Sequence, residues 1–164
     1  MKTNTTGPQV HLIVGATGAG KTTYAMQLAE SLGAVRFSID PWMQELYGAD
    51  WPELVSYQWA LERVQRCEDH GLELCRQLVG MNLEVIFDFG FFKQDQRSKV
   101  RDFCTALGAQ VKIHYLDIDP ETRWQRVCQR NEEKGGTFAL KVTKEQFDFC
   151  EGLFEIPESW ELAV

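Results

Sequence analysis

The chain has 164 residues, 44% of them hydrophobic and 25% charged, which suits one domain with a real core and is too short for two ordinary ones. Its 17 Lys and Arg against 24 Asp and Glu leave a formal charge of −7, which excludes a global attraction to nucleic acid or to an anionic membrane. Five scattered cysteines with no Cys-x-x-Cys pair read as core residues of a reduced compartment, not as a disulfide or zinc framework. No apolar run is long enough to span a bilayer, and the polar start from Met1 to Pro8 carries no signal region, so the expected location is the cytoplasm.

Val10, Leu12, Ile13 and Val14 predict a short buried strand. Gly15-Ala16-Thr17-Gly18-Ala19-Gly20-Lys21-Thr22 follows it and has the phosphate-loop spacing of Gly, four residues, then Gly-Lys-Ser/Thr (the Walker A pattern). Lys21 to Leu32 predicts a helix, with Tyr24, Ala25, Leu28, Ala29 and Leu32 on one face and Gly33 placed to end it. The residue types suit a polyphosphate. Glycines let the backbone come close, and loop N–H groups with the helix N-terminus form an anion site. Lys21 can reach the β- and γ-phosphates, and the Thr22 hydroxyl can ligate Mg2+.

Ala34 to Ser38 predicts a second strand, and Trp42 to Tyr47 a short helix after Asp40-Pro41. Glu53 to Val79 predicts a long helix with Val55 among its inward residues and a kink or break at Gly71. Leu83 to Phe87 is a third strand that leads into Asp88, Gln94 to Leu107 a helix closed by Gly108, and Val111 to Leu116 a fourth strand. Asp119-Pro120 opens a helix to about Gln129; Arg130 to Thr137 reads as a mobile polar loop, and Val142 to Leu153 as the last helix. Phe154 onward is extended and predicts a terminal strand. Strands alternating with helices mean an α/β fold with a mainly parallel sheet, whose ligand sits beyond the carboxyl ends of the strands.

Two acids stand just after strands. Asp88 is either a carboxylate that holds Mg2+ or a strand-end cap for the next turn. Asp40 is either a general base for an attacking hydroxyl or an N-cap with Pro41 in the first helical turn. Arg123, Arg126 and Arg130, spaced three and four apart, share a helix face. They either close over a triphosphate or form a solvated face paired with Glu121, Glu132 or Glu133. Trp42, Tyr47, Trp51, Tyr57 and Trp59 line an acceptor pocket or simply pack. His11, His70 and His114 are isolated in sequence and read as no one's ligands.

The loop from Gly15 to Thr23, Ser38-Ile39-Asp40, the strand ending in Asp88, Arg123…Arg126…Arg130-Asn131 and Phe154-Glu155-x-Pro157 together resemble the small P-loop kinases. That group includes polynucleotide kinase, chloramphenicol phosphotransferase, the zeta-toxin kinases and proteins labelled AAA-family ATPases. The resemblance implies one P-loop NTPase domain over 1–164 and a five-stranded sheet of order 2-3-1-4-5 with helices on both faces. It also implies a small lid over 130–146, ATP and Mg2+ as cofactors, and Asp40 as base or acceptor-hydroxyl ligand. It departs from polynucleotide kinases at Met43 and Lys134, where that group carries arginine, which with the acidic charge turns the expectation away from a nucleic-acid acceptor. The expected activity is transfer of the ATP γ-phosphate to a small-molecule hydroxyl. The alternatives are an ATPase or nucleotide-controlled binding module without its own acceptor, and a 5′-hydroxyl nucleic-acid kinase.

Overall fold

The structure is a computed structural model, and it describes residues 7–54, 56–134 and 141–163. The elements run β1 (Gln9–Val14), α1 (Lys21–Leu32), β2 (Val35–Ser38), α2 (Ile39–Tyr47), a 3-10 turn (Gly48–Asp50), α3 (Tyr57–Gly80), β3 (Val85–Gly90), α4 (Gln94–Ala106), β4 (Gln110–Tyr115), α5 (Pro120–Glu133), α6 (Lys144–Leu153) and α7 (Ser159–Leu162). The strands are all parallel, in the order β2-β3-β1-β4.

Alternation along the strands divides the core. Val10, Leu12, Val14, Phe37, Val85, Phe87 and Phe89 face one side and pack with α2, α3 and α4. Ile13 and Ile86 face the other, against Ala25 and Leu28 of α1. Asp88 lies two residues beyond Ile86, so the same alternation aims it at the α1 side, beside the phosphate loop.

The expected fifth strand is absent from the described residues, and the sheet has four strands. Pro157 has no N–H to give a ladder. The stretch instead turns into α7, whose Glu158 and Glu161 form a reciprocal cap. Side-chain bonds hold it: Arg97 of α4 takes both oxygens of Glu161 at 2.7 and 2.9 Å, and both residues are buried.

Three other expectations change. The helix α3 runs through Gly71 without a break. Gly71 serves packing instead, since a Cβ there would lie 2.6 Å from the Phe89 ring and 3.3 Å from Trp42. The helix α2 begins at Ile39, so Asp40 and Pro41 stand inside its first turn and Ser38 occupies the cap position. The helix α5 continues to Glu133, which makes Arg130 and Asn131 helical and not part of a loop. Residues 135–140 of the expected lid, and Val55, lie outside the described residues.

Candidate active site

The loop Gly15–Gly20 leaves the carboxyl end of β1 and turns into α1. Gly18 and Gly20 hold φ near +81° and +89°, in the left-handed region that favours glycine. Gly18 has a second reason: a Cβ there would meet the Arg123 carbonyl oxygen at 2.5 Å and Val127 at 3.0 Å. The helix α5 thus packs directly on the phosphate loop.

Lys21 folds back over the loop, and its Nζ donates to the carbonyls of Gly15 (2.8 Å) and Ala16 (3.1 Å). Burial lowers its pKa to about 8 against the pull of Asp88 and Asp40, with Arg123 and Arg130 pushing the same way as burial. Those charges identify its neighbours: Asp88 inside β3, Asp40 in the first turn of α2 and two arginines from α5. Thr22 and Thr23 open α1 beside it.

Asp88 is buried, with 6% of its surface exposed. Its Oδ2 accepts from Arg36 Nη1 at 3.0 Å and Ser38 Oγ at 3.1 Å, while Oδ1 accepts from no described residue. Arg36 and Ser38 lie two apart in β2, and Ser38 stands opposite Asp88 in the ladder. Their strand alternation was the signal for this pair, and motif spacing alone overlooks it. Asp40 is open to solvent at the start of α2. Its pKa is raised, first by desolvation and then by Asp88, and Lys21 and Arg130 oppose the rise.

The three arginines of α5 take three different positions. Arg123 is buried and fully engaged. It donates to Ile118 O (2.8 Å), Thr17 O (3.2 Å) and Glu151 of α6 (2.9 Å), and its face lies over Phe147. Arg126 is exposed, and its Nη1 stands 3.4 Å from Ala19 O at the rim of an open cavity of about 380 Å3 lined by Gly20, Thr23, Tyr24, Gln27 and Leu116. Arg130 is half-buried and donates to no described residue, and its Nε is shut off from water. Asn131 spans the segment that follows, giving and accepting bonds with Val142 at 2.8 and 3.1 Å. The aromatic residues divide as well: Trp42 packs between Phe37 and Phe89, while Trp51, Trp59 and Tyr47 cluster with the Arg63 guanidinium, 3.9 Å from the Trp59 ring centre.

Two of the three histidines, isolated in sequence, meet in space. His11 Nδ1 lies 2.9 Å from His114 Nε2, Tyr24 OH lies 2.8 Å from His114 Nδ1, and Glu84 reaches the far side of His11 at 3.4 Å. This polar chain lies between the sheet and α1, behind the phosphate loop.

A parallel sheet of order 2-3-1-4 with a glycine loop from its central strand into α1 defines a P-loop α/β protein. Residues 10–157 match the AAA domain family, and the chain belongs to that family. No curated protein matches the sequence. Among solved structures, Kti12 of Chaetomium thermophilum in complex with ADP-AlF3 is 15% identical with a TM-score of 0.68, over 92% of this chain and 82% of that one. A gluconokinase from Sinorhizobium meliloti is 14% identical with a TM-score of 0.61, over 94% and 79%. A chain of the Pnkp1/Rnl/Hen1 RNA repair complex is 20% identical with a TM-score of 0.62, over 93% of this chain; the match spans 46% of that longer one. At these identities the likeness is one of fold.

Proposed function

We propose that this protein binds ATP and transfers its γ-phosphate to a hydroxyl group of a small molecule. One observation carries the reading: Lys21 and Asp40 both feel the charges of Asp88 and Arg130, and the shielded Arg130 Nε has no hydrogen-bond partner among the described residues. A guanidinium nitrogen shut off from water with no acceptor, near a lysine, is costly unless an anion joins them. A triphosphate is such an anion.

In this reading the loop N–H groups and Lys21 hold the β- and γ-phosphates, and Arg130 meets the charge that develops on the transferred group. Arg126 covers the nucleoside end in the cavity beside Thr23 and Gln27. Arg123 acts through the loop, which it holds by Thr17. Asp40 takes the proton from the acceptor hydroxyl; the oxygen bonds to the γ-phosphorus, the bond to the β-γ bridging oxygen breaks, and ADP leaves. The residues suit Mg2+: Asp88 keeps one oxygen without a bond among the described residues, and Thr22 offers a hydroxyl in the first turn of α1. Bound there, Mg2+ would neutralise phosphate charge. Asn131 ties the end of α5 to Val142, on the two sides of the expected lid.

Asp40 also bears on the reading without an acceptor. In a nucleotide-controlled binding module it would turn away and cap its helix; here it makes no capping bond and shares the field of Lys21 and Asp88. The test is transfer of labelled γ-phosphate from ATP into a metabolite extract, with Lys21→Ala as control. Label in a small-molecule product, lost in the control, supports the proposal. Label released only as inorganic phosphate favours the ATPase, and label on a 5′-hydroxyl oligonucleotide favours the nucleic-acid kinase. Equal product from the control sinks the loop assignment.

A further inference from the structure

The turn after β3 has no part in the reading above, and it is unusual. Gly90 and Phe91 both hold positive φ, near +90° and +50°. For a phenylalanine that conformation is strained, and such strain persists only where surrounding bonds impose it. Here they do. Arg97 Nη1 donates to the Phe91 carbonyl at 3.2 Å, and the Glu155 N–H donates to the Phe92 carbonyl at 2.7 Å. Arg97 is itself locked by Glu161 and by the Glu155 carbonyl.

The turn sends two adjacent rings to different places. Phe91 is 2% exposed and packs against Phe89 in the core. Phe92 is half-buried, meets Phe154 edge-on, and holds its ring 5.8 Å from Lys21 Nζ. A ring so placed shields the lysine from water on the side of β3. The C-terminal strap, through Glu155 and Glu161, keeps it there.

We propose that Phe92 is the water-excluding wall of the transfer site, set over Lys21 by the strained Gly90–Phe91 turn. The inference rests on the phosphotransferase reading. Water is always present as a competing nucleophile, so an apolar wall beside the γ-phosphate favours the acceptor hydroxyl over hydrolysis. A ring that only packs would change stability and leave that partition alone.

Two measurements on the full chain test it, with Phe92→Ala and Phe92→Leu compared to the parent. The first is acylation of lysines by acetyl N-hydroxysuccinimide, read by mass spectrometry without nucleotide. Lys21 should label about fivefold faster in Phe92→Ala, with Lys144 unchanged and Phe92→Leu close to the parent. Equal labelling of Lys21 in all three overturns the placement. The second is phosphate release from ATP and Mg2+ without acceptor. Phe92→Ala should raise it by about fivefold at saturating ATP, and Phe92→Leu should not. An unchanged rate in a Phe92→Ala protein that still binds a fluorescent ATP analogue overturns the wall. Failure of the parent to bind that analogue sinks the phosphotransferase reading instead, and the proposal with it.

Discussion

Arg123 and Glu151 form an ion pair, with nitrogen–oxygen distances of 2.7 and 2.9 Å, that ties α5 to α6 across the segment between them. The same guanidinium holds the Thr17 carbonyl of the phosphate loop. One side chain therefore links the loop, α5 and α6. Arg130, two turns along α5, has no such anchor among the described residues. The two arginines should separate in mutagenesis. Arg123→Ala is expected to lower stability by about 2 kcal/mol, because it removes several charge-assisted bonds whose acid partner is partly screened by solvent. Arg130→Ala should leave stability within about 0.5 kcal/mol and lower transfer by about 100-fold or more. Denaturant unfolding and single-turnover kinetics on both variants decide the assignment.

Asp40→Asn keeps the shape of the side chain and removes the base. Transfer to the true acceptor is expected to fall by about 10²–10⁴ while ATP affinity stays within about twofold. Full transfer by this variant would leave Asp40 as an ordinary first-turn residue of α2. Calorimetric titration with ATP beside the transfer assay separates the two outcomes.

The Arg97–Glu161 pair is buried on both sides, with 1% and 3% exposed. Removing one partner leaves the other charged and unpaired, so Arg97→Met or Glu161→Leu alone should cost about 3–5 kcal/mol. The double variant should recover much of that loss. Urea unfolding of the four proteins gives the coupling directly, and additive losses would mean the pair is not coupled.

Gly71→Ala sets two effects against each other. Alanine favours a helix by about 1 kcal/mol over glycine. The new Cβ would sit 2.6 Å from the rim of a buried Phe89 ring, itself wedged against Phe87 and Trp42. Overpacking of that kind costs about 1–3 kcal/mol, so the net change should be destabilising by about 1 kcal/mol. A raised melting temperature would show that the ring moves aside freely.

Acid should weaken the fold through the histidine chain before it reaches most carboxylates. Burial lowers the pKa of His114 to about 4, with His11 and Lys112 adding to the effect, and burial lowers that of His11 despite Glu84. Between the unfolded value near 6.5 and the folded value, the unfolded chain binds more protons. Stability is therefore complete above about pH 6.5 and falls as pH drops toward 4. Glu161 titrates later, because Arg97 holds its carboxyl below the usual range. Stability measured from pH 7 to 4.5 should decline in the parent and decline less in His114→Phe. Equal slopes would remove the histidines from the account.

Much of this protein is local in its sequence. Apolar runs, the glycine loop and the helix stops are signals carried by neighbouring residues, because strand and helix periods and loop conformations depend on residues close along the chain. They sufficed for the parallel α/β sheet and for the phosphate loop at the end of β1; the strand expected to stop at Phe87 runs on to Gly90 and takes Asp88 into β3. The arginine stripe was equally legible as a stripe. Its division of labour was not: Arg123 meets Thr17 and Glu151, 106 and 28 residues away, and only chain folding sets those distances. The same holds for Arg97 with Glu161, for Gly71 under Phe89, and for the histidines joined across β1 and β4. The C-terminal stretch took the form of a strap because one buried ion pair and one proline outweighed its extended pattern, and that competition exists only once α4 is in place. Composition and spacing determined which chemistry the chain can hold. Long-range packing decided which side chains are committed to structure and which, Asp40 and Arg126 among them, stay open to solvent.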